Sequence, residues 1–371
     1  MKYYLIAGEA SGDLHGSNLM KALHQLDAHA DIRCWGGDLM QQAGGQLVRH
    51  YRDLAFMGFT EVIKNLPTIL KNMSFCKKDI ESFAPDVLVL IDYPGFNLRM
   101  AQWAKSKGLK VVYYISPQVW AWKESRVKDI KKCVDEMLVI LPFEKAFYAT
   151  WNYPVTYVGH PLAEVIDQYI AEHGATTPKN EKTIALLPGS RQQEILKKLP
   201  IMLQVSSRFP DYEFVVAKAP GIEESFYKEL LAPYPNVKST SNRTYHLLLQ
   251  ARAAIVTSGT ATLETALFGV PQIICYKGNP LSYQIAKRLI KIKFIGLVNL
   301  IMNKEVVKEL IQDALTPENI TRELQLILGN TEKQLQIAAD YTSLKSTLQQ
   351  GGAASSNAAS IIYKITHPIT L

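Results

Sequence analysis

The segment Ile184–Glu194, IALLPGSRQQE, combines an apolar strand, a Pro-Gly turn and a helical pattern that begins just after Ser190 and Arg191. Such a unit aims backbone N–H groups and the positive end of a helix dipole past the strand's end, where an anion fits and Arg191 can clamp it bidentately. An ordinary βα turn gives the same pattern. A second segment, Thr257–Glu264 (TSGTATLE), repeats the arrangement after the apolar run Ala253–Val256. Gly189, Ser190 and Arg191 in the first, with Gly259 and Thr260 in the second, make a candidate nucleoside-diphosphate site. Glycine lets backbone approach phosphate closely, and a threonine hydroxyl adds a donor. Glu264, about one turn into the second helix, can accept from a ribose. It also resembles a capping-box glutamate, though the spacing from Thr260 is one residue too long. No GxxxxGK[ST] phosphate loop is present, which disfavours an ATP-hydrolysing engine. No two aspartates stand two apart, so an Asp-x-Asp metal clamp is absent and a metal-independent transferase is expected. Helix dipoles and Arg191 would then neutralise a departing diphosphate, each contact supplying roughly 3 kcal/mol.

The N-terminal half offers acid–base candidates. Asp92 ends LVLI, the most apolar strand, and Pro94 and Gly95 turn the chain after it. A carboxylate there can be desolvated enough to take a proton from a hydroxyl nucleophile, or it can cap the next helix, a task for which Asn97 competes. The turn GEASGDLHG carries Glu9, Ser11, Asp13 and His15 at another strand end; Ser11 or Asp13 can equally cap the helix that follows. In SPQVWAWKESR, Trp120 and Trp122 can line a sugar or acyl site or fill the core. His160, in VGHP, lies either at the cleft or in a satisfied turn.

These residues need strands to project from. In the first half strands fit Tyr3–Ala7, Ile32–Trp35, Val87–Ile91, Lys110–Ile115, Met137–Ile140 and Val155–Val158, with helical patterns between them. In the second half they fit Ile184–Leu187, Glu213–Ala217, Ala253–Val256 and Gln272–Cys275. This alternation predicts an α/β chain with two doubly wound parallel sheets facing each other across a cleft. The polar stretch Glu172–Lys182 marks the boundary, giving domains 1–172 and 183–345 and a helical tail over 346–371. A length of 371 residues suits two domains, and 47% hydrophobic with 20% charged residues is globular composition. Four scattered cysteines lack metal-ligand spacing and suit a reducing compartment. Apolar runs fall far short of the roughly 18 residues that span a bilayer, and no leader precedes the first strand, which points to the cytoplasm. A formal charge of +7 favours anionic partners. Phe59, Val62, Ile63, Leu66, Ile69, Leu70 and Met73 recur at helical spacing among lysines, a pattern that suits a lipid interface or a core-facing helix, with Pro67 starting a second short helix. Lys287–Ile301 is similarly basic and apolar.

The motifs AGEASGD, LIDYPGFN, YYISPQVWAWK, LPFEKAFY, VGHP, LLPGSR and SGTATLE, in this order, resemble the lipid-A-disaccharide synthase family from Ala7 to about Leu310. The resemblance implies the GT-B fold, with a final helix that returns to the first domain or is exchanged between two chains of a homodimer. It implies inverting transfer of 2,3-diacylglucosamine from UDP to 2,3-diacylglucosamine 1-phosphate, without a cofactor, at the inner face of the cytoplasmic membrane. By the same resemblance Asp92 is the essential aspartate, Arg191 contacts the diphosphate, and Gly259, Thr260, Glu264 and Asn299 belong to the UDP site. Val62, Ile63, Leu66, Ile69 and Leu70 correspond to the family's membrane patch. Gly95, where relatives often carry an acidic residue, and Pro67 depart from its pattern. A UDP-sugar epimerase of the same fold and a non-catalytic binder of anionic membrane or nucleic acid are the alternative readings; no nucleic-acid module is recognisable.

Overall fold

The computed structural model describes residues 1–54, 66–279, 283 and 293–367. The chain divides into two compact units, Met1–Pro161 with Gln349–Leu371, and Leu162–Leu348. Each is built on a parallel sheet, as the alternation of strand and helix predicts.

Among the described residues the first sheet has seven strands: β1 (Lys2–Ala7), β2 (Asp31–Gly36), β3 (Gln46–His50), β4 (Val87–Ile91), β5 (Lys110–Tyr114), β6 (Glu136–Val139) and β7 (Thr156–Tyr157). Their spatial order is β3-β2-β1-β4-β5-β6-β7, all parallel. Helices cover both faces, so central strands read as continuous apolar runs and every residue of β4 is buried. The two faces alternate along each strand. Tyr3, Leu5 and Ala7 pack with Leu19 and Leu23 of the helix Ala10–Leu26, whereas Tyr4 and Ile6 pack with Cys76 and Ile80 of the helix Leu66–Phe83. That second helix carries Pro67 in its first turn, where a missing N–H interrupts no intrahelical bond.

The second sheet has six described strands: β8 (Thr183–Leu187), β9 (Glu213–Lys218), β10 (Lys238–Ser241), β11 (Ala253–Thr257), β12 (Gln272–Tyr276) and β13 (Glu309–Ile311). Their order is β10-β9-β8-β11-β12-β13, again all parallel.

Three strands, β3, β10 and β13, are absent from the sequence reading, and β7 is shorter than the predicted Val155–Val158. All four lie at sheet edges, where strands are short and polar and their periodicity is weak. The second unit starts at Leu162, earlier than the polar stretch 172–182, because Leu162, Ala163 and Ile166 of the helix Pro161–His173 are buried in that unit's core.

The chain re-enters the first unit through its last helix, Ala354–Thr366. Ala358, Ala359 and Ile362 join the same core as Leu19 and Leu23, and Asn357 Nδ2 donates to Val158 O at 3.1 Å. The returning chain presses on Gly159 (φ +95°), where a Cβ would lie 2.5 Å from Gly352 O. No helix among the described residues is long and apolar enough to cross a membrane.

Candidate active site

In each sheet the chain first winds to one side and then to the other. The reversal falls between β1 and β4 in the first unit and between β8 and β11 in the second. The carboxyl ends of strands at such a reversal diverge into a crevice that takes ligands. Pairing of Ala7 with Ile91, and of Leu187 with Val256, brings the turns that follow each strand out side by side. The residues singled out in the sequence fall largely at these two places.

In the first unit, Glu9 is the N-cap residue of the helix after β1, and Asp92 directly follows β4. Asp92 (φ 45°) and Tyr93 (φ 49°) both adopt the left-handed conformation, which costs of order 1–3 kcal/mol each for such residues and persists where neighbours fix it. Here the Asp92 carbonyl accepts from Tyr113 OH (2.6 Å) and Asn97 Nδ2 (2.8 Å), while Asp92 N–H continues the ladder to Tyr114 O (3.1 Å). The Tyr93 ring lies against Gly8, leaving no room for a Cβ there. Asn97, fully buried, also donates to Ile6 O and Ile91 O, tying the ends of β1 and β4 together. It does not cap the helix Pro94–Ser106, whose N-cap is Tyr93, and neither does Asp92. The half-buried Asp92 carboxyl is raised from 3.8 to about 7, chiefly by burial and further by the negative charge of Glu9. A carboxylate so poised can take a proton near neutral pH.

The other first-unit candidates have different surroundings. Ser11 is exposed in the first turn of its helix. Asp13 neither opens to solvent nor caps its own helix: it is buried, and accepts from Gly37, Leu39 and Met40 N–H at 2.8, 3.1 and 3.0 Å. It thereby caps the helix Asp38–Gln42, a long-range role that local spacing does not reveal. His15 and His160 are buried neighbours, with pKa values lowered to about 4 and about 3 by burial, and for His160 by His15 as well. Both imidazoles are neutral at pH 7. Trp120 is buried and donates through Nε1 to Glu144 Oε1 (3.2 Å), while Glu144 Oε2 accepts Leu141 N–H (2.9 Å). Ser116 Oγ and Tyr148 OH, 2.7 Å apart, complete this polar cluster at the ends of β5 and β6. Burial lifts Glu144 to about 7.

In the second unit, Gly189 follows β8 with φ +120°, and Arg191 is the N-cap residue of the helix Gln192–Val205. The Arg191 guanidinium is exposed and meets Glu194 Oε1 at 3.5 Å, a loose pairing; Ser190 is exposed beside it. On the neighbouring strand, Gly259 is the N-cap of the helix Thr260–Leu267, with φ +155° and ψ −164°, a conformation open essentially to glycine alone. Gly259 and Thr260 are exposed. Thr257 Oγ1, buried at the end of β11, has no hydrogen-bond partner among the described residues. Glu264, half-buried, is fixed by Tyr245 OH at 3.0 Å, and burial raises its pKa.

Asn299 presents nothing to a ligand directly. Fully buried, it donates to Val307 O (2.8 Å) and Glu309 Oε1 (2.9 Å), and accepts from Val306 and Val307 N–H (2.9 and 3.1 Å). Both its donors and both acceptor sites are thus occupied. Glu309 in turn accepts Ile295 N–H (2.9 Å) and Gly296 N–H (3.0 Å), so the pair shapes the turn that leads into the helix Leu297–Met302.

Of the proposed membrane patch, Val62 and Ile63 lie outside the described residues, as do the side chain of Leu66 and residues 287–292 of the second basic apolar segment. Ile69 is half-buried against the first unit's core, and Leu70 is 55% exposed. Tyr93, Glu144 and Glu309 went unselected by sequence reasoning, Asn97 was weighed only as a helix cap, and Thr257 figured only as the start of its segment. Asn97 and Glu144 were visible within LIDYPGFN and LPFEKAFY, but only the fold shows what they hold.

The chain matches the family model described as lipid-A-disaccharide synthetase over residues 3–365. The lipid-A-disaccharide synthase of Syntrophus aciditrophicus is 41% identical over 362 residues, covering 94% of each chain. That of Coxiella burnetii (strain CbuG_Q212) is 38% identical over 369 residues, covering 97% of each. Among solved structures, the kitacinnamycin glycosyltransferase superposes with a TM-score of 0.67 at 14% identity, covering 98% of both chains. The UDP complex of Staphylococcus aureus MnaA gives 0.67 at 12% identity, covering 100% of this chain and 98% of that one. The UDP-GlcNAc 2-epimerase of Neisseria meningitidis gives 0.60 at 12% identity, covering 98% and 99%. At such identities the structural likeness speaks for the fold, whereas the full-length sequence match speaks for the family. The chain belongs to the lipid-A-disaccharide synthase family of glycosyltransferases.

Proposed function

We propose that the protein transfers 2,3-diacylglucosamine from UDP to the 6-hydroxyl of 2,3-diacylglucosamine 1-phosphate, with inversion at the anomeric carbon. Asp92 accepts the hydroxyl proton as the new C–O bond forms on one face of the sugar and the bond to UDP breaks on the other. The observation that carries this reading is a half-buried carboxyl lifted to about 7 at the switch point of the first sheet. Glu9 keeps Asp92 a strong enough base by repulsion. The leaving pyrophosphate is stabilised by Arg191 and by backbone N–H groups at the start of the helix Thr260–Leu267, donors already oriented before the reaction begins. Glu264, anchored by Tyr245, accepts from a ribose hydroxyl. Gly189 and Ser190 shape the turn that carries Arg191. Asn299 acts through Glu309, as a residue that positions this wall of the site.

On the acceptor side, buried Trp120 and the buried, neutral His15–His160 pair back the strand ends of the first unit from within. Leu70 and Phe75 (55% and 42% exposed), with exposed Lys71 and Lys78 on the same helix, offer a face for an anionic bilayer. Peripheral attachment at the inner face of the cytoplasmic membrane would bring the enzyme to both acylated substrates. A homodimer is part of this reading, and sedimentation velocity tests it.

The reaction is tested by mass spectrometry with the two acylated glucosamine substrates and no added metal. Asp92→Asn should lower turnover by orders of magnitude and leave UDP affinity intact; near-normal turnover would reject the role of Asp92.

A further inference from the structure

Beside Arg191, on the helix that it opens, lies a charge arrangement that the transfer reaction as described does not use. The Glu194 side chain lies directly over Gly189, where a Cβ would come within 2.9 Å of Glu194 Oε2 and 3.6 Å of Thr257 Cγ2. A carboxylate thus sits at the corner where an anion is expected, joined loosely to Arg191 at 3.5 Å. One turn further along the same helix is Lys198, 3% exposed, a rare burial for an ammonium group. Burial weakens its hold on a proton, and the nearby Glu194 charge strengthens it. The remaining titratable groups around this pair do not supply a counter-charge. Burial pushes the Cys275 thiol up to about 12 and raises the Tyr276 hydroxyl as well, so both are neutral, and Lys197 is exposed to solvent.

We propose that Lys198 is a positioning residue for the pyrophosphate grip, holding Glu194 when Arg191 leaves that carboxylate for the ligand. The inference rests on Arg191 binding the pyrophosphate of a UDP-sugar, as proposed above. Arg191 is exposed and its bond to Glu194 is long, so the guanidinium is free to turn outward. A half-buried carboxylate left behind would oppose that movement and repel the incoming phosphates. Lys198, one turn along the same helix, can reach that carboxylate, so Glu194 regains a cation once Arg191 has left it and Arg191 is released at little electrostatic cost. Glu194 and Lys198 contact no substrate in this scheme; they set how readily Arg191 becomes available.

The test is UDP titration calorimetry on the full-length protein at fixed ionic strength. The variants are Lys198→Met, Glu194→Gln, the double variant and Arg191→Met, with thermal unfolding recorded for each. Lys198→Met should weaken UDP binding about tenfold, and adding Glu194→Gln should restore affinity to within about twofold of Glu194→Gln alone. A lysine that merely supports the helix, or that touches phosphate itself, gives a loss that Glu194→Gln does not repair. That outcome, or unchanged binding in Lys198→Met, overturns the proposal. Lys198→Gln serves the same comparison should the methionine variant fail to fold. Unchanged UDP affinity in Arg191→Met would instead overturn the reading beneath it, and the proposal with it.

Discussion

Replacing Asp92 by asparagine should separate activity from stability in opposite directions. The carboxyl is raised from 3.8 to about 7, so between these values the folded chain holds a proton that the unfolded chain has lost. Stability therefore falls as pH rises through this window, because the folded state binds more protons than the unfolded one. About three pH units at 1.36 kcal/mol each sets an upper limit of roughly 4 kcal/mol by pH 8. Asparagine keeps the shape, carries no charge, and leaves the bonds from Tyr113 and Asn97 intact, since both go to the backbone carbonyl of residue 92. Asp92→Asn should thus match the parent near pH 4 and exceed it at pH 8, raising the melting temperature of the first unit by roughly 5–15 °C. The assay is thermal unfolding from pH 4 to 8.5 beside turnover at each pH. A variant no more stable than the parent at pH 8 would show that the carboxylate is already well solvated or paired, and the argument for a poised base would fail.

Other substitutions probe the remaining parts of the site. Gly259→Ala forces a side chain into φ +155°, at a cost of about 1–3 kcal/mol, and UDP affinity should fall more than tenfold as the helix start shifts. Equal affinity would separate that turn from the nucleotide. Gly8→Ala places a methyl against the Tyr93 ring and should lower turnover through a displaced Asp92; adding Tyr93→Ala should recover part of the loss, and a lack of any recovery would disconnect ring and base. Exposed Leu70 and Phe75 changed together to serine should leave the fold unaltered and lower binding to anionic liposomes several-fold in a sedimentation assay. Unchanged binding would mean that this face has no part in membrane contact.

The long apolar strands, the two glycine-bearing turns and the ordered run of motifs were all legible in the residues, because each is a local pattern of burial or backbone conformation. Asp92 stood out for a local reason too: it ends an unbroken buried strand beside a Pro-Gly turn. The edge strands β3, β10 and β13 were not legible, since a strand with one free edge needs no apolar continuity. Equally hidden were the long-range partners. Asp13 looks like a cap for its own helix until tertiary structure brings Gly37–Met40 to it, and Asn299, singled out only by the family resemblance, is occupied by four of the chain's own groups. The sequence by itself determined which residue types stand at strand ends and to which family the order of motifs is similar. Only the tertiary structure decided which strand ends are neighbours, and thereby which side chains are desolvated, charged or already bonded. Burial and the fields of groups distant in sequence control these properties, and neither is encoded within any one stretch of chain.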